Sequence, residues 1–277
     1  MMLQADGYTH PGVQRTRNED AFALPPASVG VNHRETLLLL ADGAGGSANG
    51  QLASRMAVLF LMAQYYCNED DCPINYKLRQ TIERVNTLIW SRQTDEAQML
   101  TTLVAAVVQD NTLFVANVGD SRAYLVSATG QCRLLTEDHS DFQERKVAGL
   151  VDTSAESDNG MITRALGLTK TVDVDLYRYS WREGETLVLC SDGLLALSTK
   201  QMSEIVRNHA PNDAARLLVE QANQLDGSDN ATAVVATRRP APQPAQIKRR
   251  QSHIIDLLFM LGGMVLGAVT MLLLNVN

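Results

Sequence analysis

Four aspartates in this 277-residue chain share a setting in which a carboxylate can do chemistry. Asp42 follows the run TLLLLA, Asp120 follows LFVANVG, Asp192 follows TLVLCS, and Asp229 precedes NATAVVA. Each abuts a strongly apolar stretch and has a small or turn-forming neighbour, which places it at the end of a buried element rather than on a solvated face. One such aspartate is an ordinary turn residue. Four of them brought to one sheet edge would repel one another unless a cation sat among them, because a nearby like charge disfavours ionisation. All the candidate ligands are oxygen, which selects magnesium or manganese over zinc or copper. Beside Asp42, the glycines Gly43, Gly45 and Gly46 let the backbone approach a ligand closely. Such residues suit a divalent cation and a phosphate.

The elements that must position these carboxylates can be read from periodicity. The leucine run before Asp42 is too short to cross a membrane and reads as a buried strand. Residues 48–66 form a helix whose Leu52, Met56, Leu59, Phe60 and Ala63 make one apolar face, expected to pack on a sheet. The polar stretch 67–73 breaks the pattern, and 74–93 resumes it as a second amphipathic helix through Leu78, Ile82, Val85, Leu88 and Ile89. Residues 99–108 and 112–118 are β-branched and apolar, joined by Gln109, Asp110 and Asn111 as a hairpin, with 123–126 continuing the meander. The segment 134–166 loses periodicity, is crowded with acidic residues, and reads as a functional flap or a loop. A strand at 186–189, helices at 202–209 and 213–225, and a last strand at 231–237 complete the body. Hairpins around a helix pair predict antiparallel sheets covered by helices, not a parallel βαβ array.

The formal charge of −7 is unevenly placed. Residues 238–277 carry five basic side chains against Asp256, a net +4, which leaves −11 on the body. An acidic body is a poor binder of nucleic acid and a better one of cations or basic partners. Cys67, Cys72, Cys132 and Cys190 show no zinc-ligand spacing, which fits a reducing compartment, and the N-terminus has no signal-peptide pattern. Residues 238–253 hold Pro240, Pro242 and Pro244 and read as a stiff linker with a reach of roughly 40 Å at about 3.1 Å per residue. Residues 254–276 contain the uncharged run 257–274, long enough to cross a bilayer, and are expected to be a single-pass C-terminal membrane anchor. Lys248, Arg249 and Arg250 just before it place the body, residues 1–237, on the cytoplasmic side.

Eight motifs now stand in order: RTRNEDAF at 15–22, ADGAGG at 41–46, TTLVAA at 101–106, VGDSRAY at 118–124, LTEDHS at 135–140, ITRALG at 162–167, LVLCSDG at 187–193 and DNATAV at 229–234. With them the body resembles the bacterial form of the metal-dependent serine/threonine phosphatases of the PP2C type. The resemblance implies an α+β fold, a four-layer αββα sandwich of two central antiparallel sheets flanked by helices, here followed by a transmembrane helix. It implies two Mn2+ or Mg2+ ions at one sheet edge, bridged by Asp42. The Gly43 carbonyl would bind one ion, Asp192 and Asp229 the other, and Glu19 would reach the second ion directly or through water. Arg15 would grip the substrate phosphate, and a water bridging the ions would attack it. Asp120 matches the family's third-metal aspartate, but the acidic residue common four positions after the SDG aspartate is Ala196 here, which leaves a third ion without that partner. The histidine many relatives carry after the DG turn is also missing, with Ala44, Ser47 and Asn49 in that stretch.

Phosphorylated proteins are then the expected substrates, a Ser/Thr kinase the expected counterpart, and the membrane the expected location. Other phosphate chemistries leave no trace: no cysteine has an arginine six residues on, and neither GxxxxGK[ST] nor GxSxG occurs. The competing reading is a membrane-tethered phosphoprotein-binding module on the same fold, catalytically weak or inactive. Loss of Asp42, Asp192 or Asp229 would have favoured it, and all three are present.

Overall fold

The apolar runs become strands because layers cover both of their faces. The computed structural model describes residues 2–25, 35–44, 48–67, 72–94, 98–148 and 160–239. One antiparallel sheet runs in the order β1 (Met2–His10), β12 (Ala231–Arg239), β11 (Thr186–Cys190), β8 (Arg122–Val126) and β9 (Cys132–Leu134). The other runs β10 (Asp175–Ser180), β7 (Thr112–Val118), β6 (Leu103–Gln109), β3 (Glu35–Ala41) and β2 (Ala21–Ala23). A short pair, β4 (Gly43–Ala44) and β5 (Leu100–Thr101), stands apart from both.

The leucine run shows how the layers form. Side chains alternate across a strand, so Leu37 and Leu39 enter the core beneath helices α1 (Ala48–Cys67) and α2 (Ile74–Trp90), while Leu38 and Leu40 enter the core between the sheets. All four are fully buried. A third core joins Val188, Cys190 and Val235 of the first sheet to Val206, Leu218 and Val219 of helices α4 (Thr199–Asn208) and α5 (Pro211–Leu225). Three cores separate four layers, α/β/β/α, as the resemblance implied.

Several sequence expectations need correction. Helix α1 packs through Ala53, Met56, Ala57, Leu61 and Tyr65, while Leu52, Leu59 and Phe60 of the expected inner face are exposed. The helix is apolar nearly all round, so periodicity does not choose a face, and the small Ala53 and Ala57 let it approach the sheet closely. Strand β8 does not extend the β6–β7 hairpin but belongs to the opposite sheet. The chain crosses over at Gly119, whose φ of +106° lies in a region that side chains avoid. The segment read as a flap or loop contains a short helix, α3 (Asp141–Val147), capped by Ser140. Strand β12 runs to Arg239, two residues into the segment read as linker. Arg238 is buried there, donating from Nη1 to the Trp181 carbonyl at 2.7 Å. Strands β1, β2, β9 and β10 have no counterpart in the sequence reading.

Among the described residues no helix is long and apolar enough to cross a membrane. The expected anchor, 254–276, lies outside the described residues, as does nearly all of the expected linker.

Candidate metal and phosphate site

Asp42 is fixed by its backbone before its side chain does anything. Its N–H donates to Thr102 Oγ1 at 3.0 Å, and its carbonyl accepts from the Thr102 N–H at 2.8 Å and the Thr101 hydroxyl at 2.9 Å. The next residue has no room for a side chain. A Cβ on Gly43 would lie 2.3 Å from the Gly50 carbonyl oxygen and 2.8 Å from that of Glu19.

The segment carrying Arg15 and Glu19 is tied to the far end of the chain by Asn230. Asn230 Oδ1 accepts the Glu19 N–H at 2.7 Å, and its Nδ2 donates to the Pro11 and Arg17 carbonyls at 2.8 and 2.9 Å. The Glu19 carbonyl in turn accepts from the Gly43 N–H at 3.2 Å and from the Ser54 hydroxyl. Glu19, Asp42 and Asp229 are therefore held in one frame although they lie far apart in sequence.

A cavity of about 270 Å³ opens where these pieces meet. Six of the seven expected site residues line it: Arg15, Glu19, Asp42, Gly43, Asp192 and Asp229. The seventh, Asp120, is not in the lining but lies close enough to Asp192 and Asp42 to feel their charges. Burial pushes the Asp42 carboxyl well above the usual range, and the charges of Asp20, Asp192, Asp120 and Asp229 push it further. Burial and then Asp229 raise Asp192, while burial followed by Asp192 and Asp138 raises Asp120 to about 7. The four aspartates do converge.

Asp20 was missed from the sequence. It sits in the same NED motif as Glu19 but is 5% exposed, with Oδ2 accepting from the Ser191 hydroxyl at 2.8 Å and the Thr232 hydroxyl at 2.6 Å. Its Oδ1 has no hydrogen-bond donor, and burial, helped by the charge of Asp192, lifts its pKa to about 7. The sequence carried no signal for it, because the strand that starts at the next residue, Ala21, is half-buried throughout.

Arg15 stands half-exposed at the mouth. Its Nη2 donates to Asp229 Oδ2 at 2.7 Å and its Nε to the Ser228 carbonyl at 3.3 Å. Among the described residues no three acidic, histidine or cysteine side chains are already closed around one ion-sized point, and Asp229 is held by Arg15. The donor set nonetheless fits a hard divalent cation. It is all oxygen, burial and then the neighbouring carboxylates raise the pKa of Asp42 and Asp192 within it, and the adjoining Asp20 holds a buried carboxylate oxygen with no donor. Ala44 lies in β4 and Ala196 is exposed, so neither position offers the site an ionisable side chain.

A two-sheet sandwich with acidic residues and an arginine gathered at one cavity is the layout of a metal-assisted phosphohydrolase. Comparison with known proteins agrees. Residues 7–236 match the family model described as protein phosphatase 2C. The serine/threonine phosphatase stp of Listeria monocytogenes is 34% identical over 252 residues, covering 85% of this chain and 96% of that one. The Streptococcus agalactiae serine/threonine phosphatase structure superposes with a TM-score of 0.78 at 29% identity, over 86% of this chain and 100% of that one. The catalytic domain of the serine/threonine protein phosphatase PstP, solved in complex with two manganese ions, gives 0.72 at 29% identity, over 85% and 97%. The chain belongs to the protein phosphatase 2C family, whose members are serine/threonine protein phosphatases, and is an enzyme of that class.

The raised carboxyls predict a pH-dependent response to metal. A folded-state pKa near 7 against an ordinary 3.8 means that the folded protein holds protons the unfolded chain has lost. Metal-free stability therefore falls as pH rises through that window. A cation removes the repulsion, so Mn2+ should raise Tm more at pH 8 than at pH 6. A shift independent of pH would contradict this cause.

Proposed function

We propose that this protein hydrolyses phosphoserine and phosphothreonine in phosphoproteins with the help of two Mn2+ or Mg2+ ions, and that it does so tethered to the cytoplasmic face of a membrane, opposing a Ser/Thr kinase. The observation that carries the catalytic part is the meeting of Glu19, Asp42, Gly43, Asp192 and Asp229 in one cavity with Arg15 at its mouth. The serine/threonine specificity is supported by the names of the relatives and the two-ion stoichiometry by the PstP complex.

Asp42, with the Gly43 carbonyl, Glu19, Asp192 and Asp229, would hold the ions. Divalent cations held there would supply neutralisation of the phosphoryl charge and a water of lowered pKa. Arg15 supplies the phosphate contact. Its Nη1 has no partner among the described residues, and a guanidinium donates parallel charge-assisted hydrogen bonds to phosphate oxygens. The Thr101 and Thr102 bonds keep the Asp42 backbone from shifting as charge builds on the substrate. No histidine lines the cavity among the described residues, so protonation of the leaving serine or threonine oxygen falls to water or to another residue.

The membrane part rests on sequence: the uncharged run at 257–274 behind Lys248, Arg249 and Arg250. In the test of catalysis, phosphate release from a phosphothreonine peptide should require Mn2+, stop with chelator, and drop by about 100-fold or more in Asp42→Ala. Chelator-resistant release, or an unimpaired Asp42→Ala, would defeat the mechanism. For the tether, the full chain should sediment with membranes and a chain ending at Gln251 should not. Persistent sedimentation of the shorter chain would contradict the anchor.

A further inference from the structure

His139 lies outside the cavity lining and has no part in the chemistry above, yet it grips the turn that carries Asp120. Its backbone N–H donates to the Gly119 carbonyl at 3.0 Å, and its ring Nδ1 accepts the Gly119 N–H at 3.0 Å. One residue thus satisfies both polar groups of Gly119. That turn has no slack, because a Cβ at Gly119 would meet the Thr102 side chain at 2.7 Å. Thr102 is the residue whose hydroxyl accepts the Asp42 N–H.

An accepting Nδ1 puts the ring proton on Nε2, where Asp175 Oδ2 lies 3.2 Å away. Asp175 is itself held in place, with Arg164 Nη1 donating to Oδ1 at 3.0 Å and the Tyr177 hydroxyl to Oδ2 at 3.1 Å. On its other side the His139 carbonyl accepts the Thr163 N–H at 2.8 Å, and Ser140 pairs with Ile162, which lines the cavity. Only 5% of His139 is exposed. A buried histidine with both ring nitrogens and both backbone groups engaged is more than core filling.

We propose that His139 is a positioning residue for the cation site, locking the Asp120 turn and the Ile162 wall of the cavity into one register. Asp175 and Arg164 set its ring, Gly119 receives its grip, and Asp120 delivers the result beside Asp192. The arrangement works at a distance: His139 touches none of the site's carboxylates, and it acts through the peptide that precedes Asp120, which lies close enough to act electrostatically on Asp42. This rests on the cation reading of the site but not on turnover.

The test is calorimetric titration of Mn2+ into the chelator-stripped full chain in detergent. His139→Leu removes the ring acceptor, whereas His139→Asn keeps an acceptor oxygen near the Nδ1 position and loses only the Asp175 link. His139→Leu should weaken Mn2+ binding by about 10-fold, in the range that outer-shell partners of metal ligands command. His139→Asn should retain most of the affinity, and Asp120→Asn with His139→Leu should bind no more weakly than Asp120→Asn alone, since one residue acts through the other. Equal losses in Leu and Asn, additive losses in the double variant, or no loss at all would overturn the proposal. If His139→Leu does not fold, His139→Gln replaces it in the same cycle, because its longer amide reaches toward Asp175 but carries its acceptor past the Gly119 N–H. An unmodified chain that binds Mn2+ as expected but releases no phosphate would contradict the phosphatase reading and leave this inference standing.

Discussion

Mutual repulsion among buried carboxylates is the constraint around which this molecule is organised. Asp20, Asp42, Asp120 and Asp192 come from four separate stretches of chain, and burial first, then the charge of at least one acidic neighbour, makes each of them resist ionising. No apolar packing would bring them together, because every approach costs free energy in a poorly solvated pocket. What opposes the repulsion is backbone: strand ends pinned by Thr101, Thr102 and Ser191, and loops tied by Asn230. The scaffold holds the charges where a cation can relieve them. A strain of that kind is tolerable only at a working site.

The two sheets supply the rigidity this needs. Asp42 leaves β3 of one sheet, while Asp192 and Asp229 flank β11 and β12 of the other. The core between the sheets, with Leu38, Leu40, Leu189 and Val234 buried in it, therefore sets the distance between the carboxylates. Asp20 links the same two sheets by hydrogen bonds, accepting from Ser191 and Thr232 of the first sheet's edge just ahead of β2 in the second. A change of volume in that core would be felt at the cation site.

The site was more legible in the sequence than the fold around it. Asp42, Asp192 and Asp229 could be found because each borders a long apolar run, and the ordered motifs linked them to Arg15 and Glu19. Asp20 escaped notice because burial, not residue type, makes it matter, and its short strand β2 shows no alternation. Strands β1 and β10 are mixed in polarity since each lies at a sheet edge, so neither makes an apolar run. The inner face of α1 was misassigned because Leu52, Leu59 and Phe60 satisfy helical spacing as well as Ala53, Ala57 and Leu61 do, and only contact with the sheet decides between them. The crossover at Gly119 looked like a hairpin continuation because the sequence there has strands on both sides and no sign of which sheet each joins.

Proton release on metal binding tests most directly whether these carboxylates resist ionising for want of a cation. Mn2+ titrated calorimetrically into the metal-free protein at pH 6.5, in two buffers of different ionisation heat, reports the number of protons displaced. The account predicts on the order of one or more protons released per molecule, because carboxyls with raised pKa must ionise before they can ligate. Binding with no proton release would show that they are already ionised, and would contradict it.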